Sequence, residues 1–174
     1  AGGDVQGLGN YVTMARSTNN GLHWEKIYLI VEPPKNTRVF DPCLWYDKDS
    51  REIWLYWAQS YKSLWDGLGG VWGAKRKVSF FSRDKWSDPQ RLTDGVMLNK
   101  PIRINKRTFF PVAYWDKLYE SLKSPQKPDM VGVNIFIDTL SKVSRIGSIP
   151  IEKIVEESSE PQIVYLKNEN LWAL

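Results

Sequence analysis

The sequence predicts an all-β protein made of repeated four-stranded units, a β-propeller. Three observations carry that expectation. A charged residue followed by proline occurs as Asp41-Pro42, Lys100-Pro101 and Glu160-Pro161, separated by 59 and then 60 residues. Each pair opens a strand, a polar turn and a second, aromatic-rich strand: "DPCLWYDKDSREIWLYWAQS", "KPIRINKRTFFPVAYW" and "EPQIVYLKNENLWAL". Convincing helices are lacking, and the residue types that favour strands are abundant. Supersecondary units repeating at this length bury their apolar faces by stacking on one another, as propeller blades do.

The elements follow in order. "YVTMAR" and "EKIYLIV" read as strands of an outer hairpin over residues 11–31, turning through "STNNGLHW". Gly21 enters positive φ without steric cost. Asn19 and Asn20 suit the turn because their side chains bond nearby amides and tolerate the left-handed region. Trp24 is expected to fold its ring beneath the hairpin, so that the octet acts as a clasp. A first full blade spans about residues 39 to 92, with a turn at Asp47 to Arg51 and the glycine-rich "WDGLGGVWG" as the loop between its hairpins. A second runs from about 98 to 150, turning at Asn105 to Arg107; "DKLYESLKSPQKPDM" connects its halves, with a helical turn before Pro125. An inner hairpin begins near 160 and turns at Lys167 to Asn170. The octet echoes at Trp86, 62 residues after Trp24, where Ser82 and Asp84 keep part of the pattern. In "IDTLSKVSRIG" only the hairpin-like position survives.

Composition narrows the function classes. At 174 residues, 42% hydrophobic and 25% charged, the chain fits one globular domain with a real core. Nine tryptophans and eight tyrosines serve core packing first, and can also stack on flat ligands such as sugar rings. The formal charge of +4 is scattered, and the tight cluster Lys75-Arg76-Lys77 reads as a solvated face. No DNA-reading helix or aromatic-and-basic RNA motif is present, so nucleic acid is set aside. Cys43 is the one cysteine and His23 the one histidine. An internal disulfide, a histidine metal cluster and a histidine triad are therefore excluded, and Cys43 reads as a small buried hydrophobe. No metal or cofactor is implied. No apolar run approaches membrane-spanning length.

Geometry selects the candidate chemistry. Innermost strands of successive blades run along a shared axis, so residues at their starts converge on one funnel. Proline is tolerated at the first residue of a strand. Asp41, Lys100 and Glu160 would then share a pocket; otherwise each caps its own strand. Two carboxylates and an ammonium can protonate a leaving group and bind a polar sugar. Arg38 and Asn99, beside them, are candidates for sugar hydroxyls or a carboxylate. Asp4 and Asp66 lie in loops that could reach the funnel. Trp65, Trp72, Tyr114 and Trp115 supply either a stacking wall or core.

"STNNGLHW" resembles the Asp-box, Ser-x-Asp-x-Gly-x-x-Trp, of the sialidase (neuraminidase) superfamily, with Asn19 at the aspartate position. "WSDPQRLTDGVMLNKP" and "EPQIVYLKNENLWAL" also resemble segments of BNR-repeat, sialidase-like glycosidases. The resemblance implies a six-bladed propeller of which residues 1–174 form about three blades, repeating near 41, 100 and 160. It implies that Ser17, Asn19, Gly21 and Trp24 are structural and lie away from the active site. It also implies that Glu160 activates a nucleophilic tyrosine. That tyrosine and the substrate-gripping arginine triad would fall in the remainder of a longer chain, and these residues alone would be inactive. Asp41 and Glu160 are the expected catalytic carboxylates; Lys100, Arg38, Asn99, Asp66 and Tyr114 would bind substrate. The activity implied is glycoside hydrolysis at a terminal, acidic sugar of a glycan, outside the cytoplasm. A non-catalytic carbohydrate-binding propeller and a polysaccharide lyase on the same scaffold remain open beside it.

Overall fold

The computed structural model describes residues 10–25, 28–61, 67–78, 85–115, 132–139, 142–149, 160–166 and 171–173. Among these residues all regular structure is strand, with no helix, and none therefore long and apolar enough to cross a membrane. Strand β1 (Val12–Met14) pairs antiparallel with β2 (Tyr28–Val31). Strands β3 (Thr37–Asp47), β4 (Glu52–Tyr61), β5 (Gly70–Lys77) and β6 (Gln90–Thr93) form one antiparallel meander, each paired with the next. A second meander follows in β7 (Ile102–Ile104), β8 (Arg107–Tyr114), β9 (Gly132–Thr139) and β10 (Lys142–Ser148). A last hairpin joins β11 (Ile163–Tyr165) to β12 (Leu171–Ala173). The all-β class is thus observed, as two four-stranded sheets with a hairpin before and after them.

The first meander is buried on both faces, which explains its apolar strands. Side chains alternate across a strand, so neighbours in "WLYWA" point to opposite sides. Leu55 and Trp57 join Val12, Val31, Val39 and Ala74 on the face toward β1–β2. Tyr56 and Cys43 join Met97, Phe110, Val112 and Phe136 on the face toward the second meander. A third cluster, Phe40, Ala58, Val96, Ala113 and Trp115, continues the contact between the two sheets. The β7–β8 turn is carried by Asn105 and Lys106 at φ 49° and 67°, the left-handed pair that a two-residue hairpin turn requires.

Three expectations are corrected. Pro42 does not start a strand: it lies inside β3, at a bulge between Phe40 and Cys43. The extra residue there leaves the ladder locally unpaired, so the missing N–H of proline costs no sheet bond. The second half of "WDGLGGVWG" is not loop but the start of β5. Its glycines are there for close approach: a Cβ on Gly70 would lie 2.3 Å from the Thr93 carbonyl oxygen, and one on Gly73 3.0 Å from the Tyr56 ring. Finally, Trp24 is 62% exposed, not buried. The octet is closed by polar groups instead. The Ser17 hydroxyl accepts from the Gly21 amide at 2.8 Å and Asn19 Oδ1 accepts from the His23 amide at 2.7 Å. The arginine of Arg16 pairs with Glu25 across the base of this turn at 2.8 Å.

The helical turn before Pro125, the turn at Lys167 to Asn170, and Asp4, Trp65, Asp66, Ser82 and Asp84 lie outside the described residues.

Candidate functional site at the start of the inner strands

The site begins with the bulge in β3. Phe40 pairs with Ala58 and Cys43 with Tyr56, so Asp41 and Pro42 together face one residue, Trp57. Asp41 takes φ 51°, a left-handed conformation that a non-glycine residue adopts at a cost of roughly 1–3 kcal/mol. Asn10 holds the strand just before the bulge, its side chain bonding both the amide and the carbonyl of Val39. The bulge turns Asp41 out of the ladder alternation while Phe40 and Cys43 stay buried.

The other two charged–proline pairs do precede their strands, β7 and β11. Asn99 ties them together. Its Nδ2 donates to the backbone carbonyls of Glu160 and Pro161, each at 3.1 Å. Asn99 is therefore a brace between two chain segments, a role distinct from the sugar contact expected of it. Its contacts place the Glu160 backbone beside the residue that leads into Lys100.

Electrostatics connect the three. The Asp41 carboxyl titrates above its ordinary value of 3.8, first because it is partly buried and second because the Glu160 carboxylate repels its negative charge. The neighbouring Cys43 thiol is pushed up to about 11, mainly by burial, with Lys100 opposing and Asp41 adding to the rise. Asp41, Lys100 and Glu160 thus act within one neighbourhood, although they lie far apart in sequence. Lys100 and Glu160 are exposed and Asp41 is half-buried, so the group faces solvent. Two neighbouring carboxyls, one of which keeps its proton to higher pH than usual, are the kind of pair that can divide acid and base roles.

The remaining candidates divide. Arg38 is buried on β3, opposite Ser60, two residues before the bulge. Tyr114 belongs to the core: its ring packs against Phe136 at 6.1 Å and its hydroxyl lies 3.5 Å from Thr93 Oγ1. Trp115 is stacked on Phe40 at 6.4 Å. Neither supplies an open wall, because both fill the space between the two meanders. Trp72 lies on the other face of the first sheet, its indole N–H bonded to the Gly69 carbonyl at 2.7 Å.

Sequence reasoning missed the bulge and the Asn99 brace. The signal for the first was an Asp-Pro step inside a strongly apolar run, where a central-strand proline is not tolerated. For the second there was none, since an asparagine bonding a distant backbone leaves no local pattern.

The Asp41 environment predicts a pH effect on stability. Its folded-state pKa exceeds the unfolded one, so between the two values the folded chain binds more protons. Stability therefore falls as pH rises through that window, from about 3.8 to the raised folded value, and stays lower at neutral pH. Asp41→Asn, which tolerates the same positive φ, removes the titration. Urea unfolding should show the variant gaining stability over the parent at neutral pH, with that gain shrinking in acid.

No protein-family model, curated protein or solved structure matches this chain.

Proposed function

We propose that the chain is part of a β-propeller of the sialidase type and that it serves a glycoside hydrolase acting on terminal, acidic sugars of glycans. One observation carries the reading: Asp41, Lys100 and Glu160, each preceding a proline at one repeat, act within one electrostatic neighbourhood. The two consecutive four-stranded antiparallel meanders support the blade reading, because such a meander is the repeating unit of a propeller. In this reading further blades complete the ring.

The roles follow from the chemistry. Asp41, with its proton retained to higher pH, is the acid that protonates the leaving-group oxygen. Glu160 accepts the proton of a nucleophilic tyrosine contributed by another blade. Lys100 draws the substrate's carboxylate toward the site, and Arg38 lies close behind the bulge.

The test is a panel of fluorogenic glycosides, including a sialoside, offered to the natural protein that carries these residues. Fluorophore release from one glycoside supports the hydrolase. An ultraviolet-absorbing unsaturated product from a uronate polysaccharide would point to a lyase instead. Sugar binding without turnover would reduce the protein to a carbohydrate-binding propeller.

A further inference from the structure

A cavity lies between the two meanders, beyond the apolar contact of Cys43 and Tyr56 with Phe110. Twisted sheets packed face to face separate toward their corners. Here the corner is not closed by apolar side chains, and the cleft measures about 670 Å³. That volume falls within the roughly 300–1,000 Å³ of small-molecule sites. The sequence opens it by changing residue type along the strand. On the face where β3 and β4 place Cys43 and Tyr56, the next positions are Trp45, Asp47, Trp54 and Glu52.

Ion pairs and ring contacts link the walls. Arg103 on β7 reaches across to Asp47 at 2.9 Å, and also to Asp49 at 3.2 Å, fixing the two sheets relative to each other. Trp54 lies parallel to Tyr56 with ring centroids 5.5 Å apart, and the Lys75 ammonium sits 5.2 Å from the Trp54 ring. Lys75 is held in turn by Glu52 at 3.1 Å. Trp45, the cross-strand partner of Trp54, is half-buried and lines the opening.

The charges define the ligand. Three carboxylates, Asp47, Glu52 and Asp138, and three cations, Lys75, Arg91 and Arg103, line the cleft. Their formal sum is zero, so the cleft carries no net charge that would favour an anion over a cation. It does offer closely interspersed donors and acceptors, since paired carboxylates and guanidinium groups keep unused lone pairs and N–H groups. Asp138 also lines the cleft; partial burial raises its pKa above the ordinary value, while the Arg103 and Lys75 charges oppose the rise. Hydroxyl groups both donate and accept, and a sugar ring adds an apolar face that stacks on indole.

We propose that this inter-sheet cleft binds a neutral, hydroxyl-rich ligand of disaccharide size, with Trp45 as its stacking face and Asp138 as a hydroxyl acceptor. The assignment is independent of whether the Glu160 end hydrolyses glycosides. Lactose, maltose and cellobiose, titrated into the natural protein with tryptophan fluorescence and calorimetry as readouts, test it. At least one should bind, and Trp45→Ala and Asp138→Asn should each weaken that binding about tenfold. Glu160→Gln should leave it unchanged. Asp138→Asn is nearly isosteric at an exposed position, so it keeps the test valid should Trp45→Ala fail to fold. Binding by none of the three sugars overturns the proposal. So does binding that survives Asp138→Asn at full strength or is lost in Glu160→Gln.

Discussion

On the proposed glycoside hydrolase reading, Glu160→Gln is expected to lower glycoside turnover by the natural protein roughly a thousandfold, with KM nearly unchanged. Glutamine keeps the size of the side chain and removes its charge and its capacity to accept a proton. The local fold is held independently of the carboxylate, because Asn99 bonds the backbone carbonyls of Glu160 and Pro161 and not the side chain. A drop in turnover would therefore report lost chemistry and not a lost local fold. A second signature accompanies it. Glu160 contributes to the raised pKa of Asp41, so residual activity in the variant should decline at lower pH on the alkaline side of its profile. A Glu160 that is only a neighbouring charge would move that limb without the thousandfold loss of turnover. Steady-state kinetics across pH, on the glycoside that the panel identifies, read both effects.

Trp57→Ala destabilises the fold by about 3–5 kcal/mol, the range for removing a fully buried aromatic side chain. Trp57 is 0% exposed and sits in the cluster of Val12, Val31, Val39 and Leu55 that fixes β1–β2 on the first meander. It is also the residue that the Asp41-Pro42 bulge faces, so the cavity opens directly behind the candidate acid. Trp57→Phe should cost much less. The indole Nε1 has no hydrogen-bond partner among the described residues, so phenylalanine deletes a buried, unsatisfied donor along with part of the ring. Urea or guanidinium unfolding of the two variants separates volume from polarity.

Much of the fold was legible because strand signals here are local. Hairpin turns at Asp47 to Arg51 and at Asn105 to Arg107 follow from polar, left-handed-tolerant residues between apolar runs, and the charged–proline spacing set the order of units. Less legible were features decided by tertiary contact. Gly70 and Gly73 read as loop residues, yet they serve a strand in which neighbouring atoms leave no room for a Cβ. Trp24 read as a buried clasp, yet the hydrogen bonds of Ser17 and Asn19 close the turn without it. At the candidate site the identities of Asp41, Lys100 and Glu160 were visible from their repeat. That Asn99 would brace the backbone and Tyr114 would fill the core was not, because both depend on what lies opposite in space.

Asp41, Lys100 and Glu160, distant in sequence, lie within one electrostatic neighbourhood, and the titration of Asp41 tests that coupling most directly. Its side-chain carboxyl can be followed by carbon-13 NMR in the parent protein and in Glu160→Gln. The account predicts a midpoint above 3.8 in the parent that moves down in the variant without reaching the ordinary value, since burial is the larger cause of the rise. An Asp41 midpoint that is identical in the two proteins would contradict it.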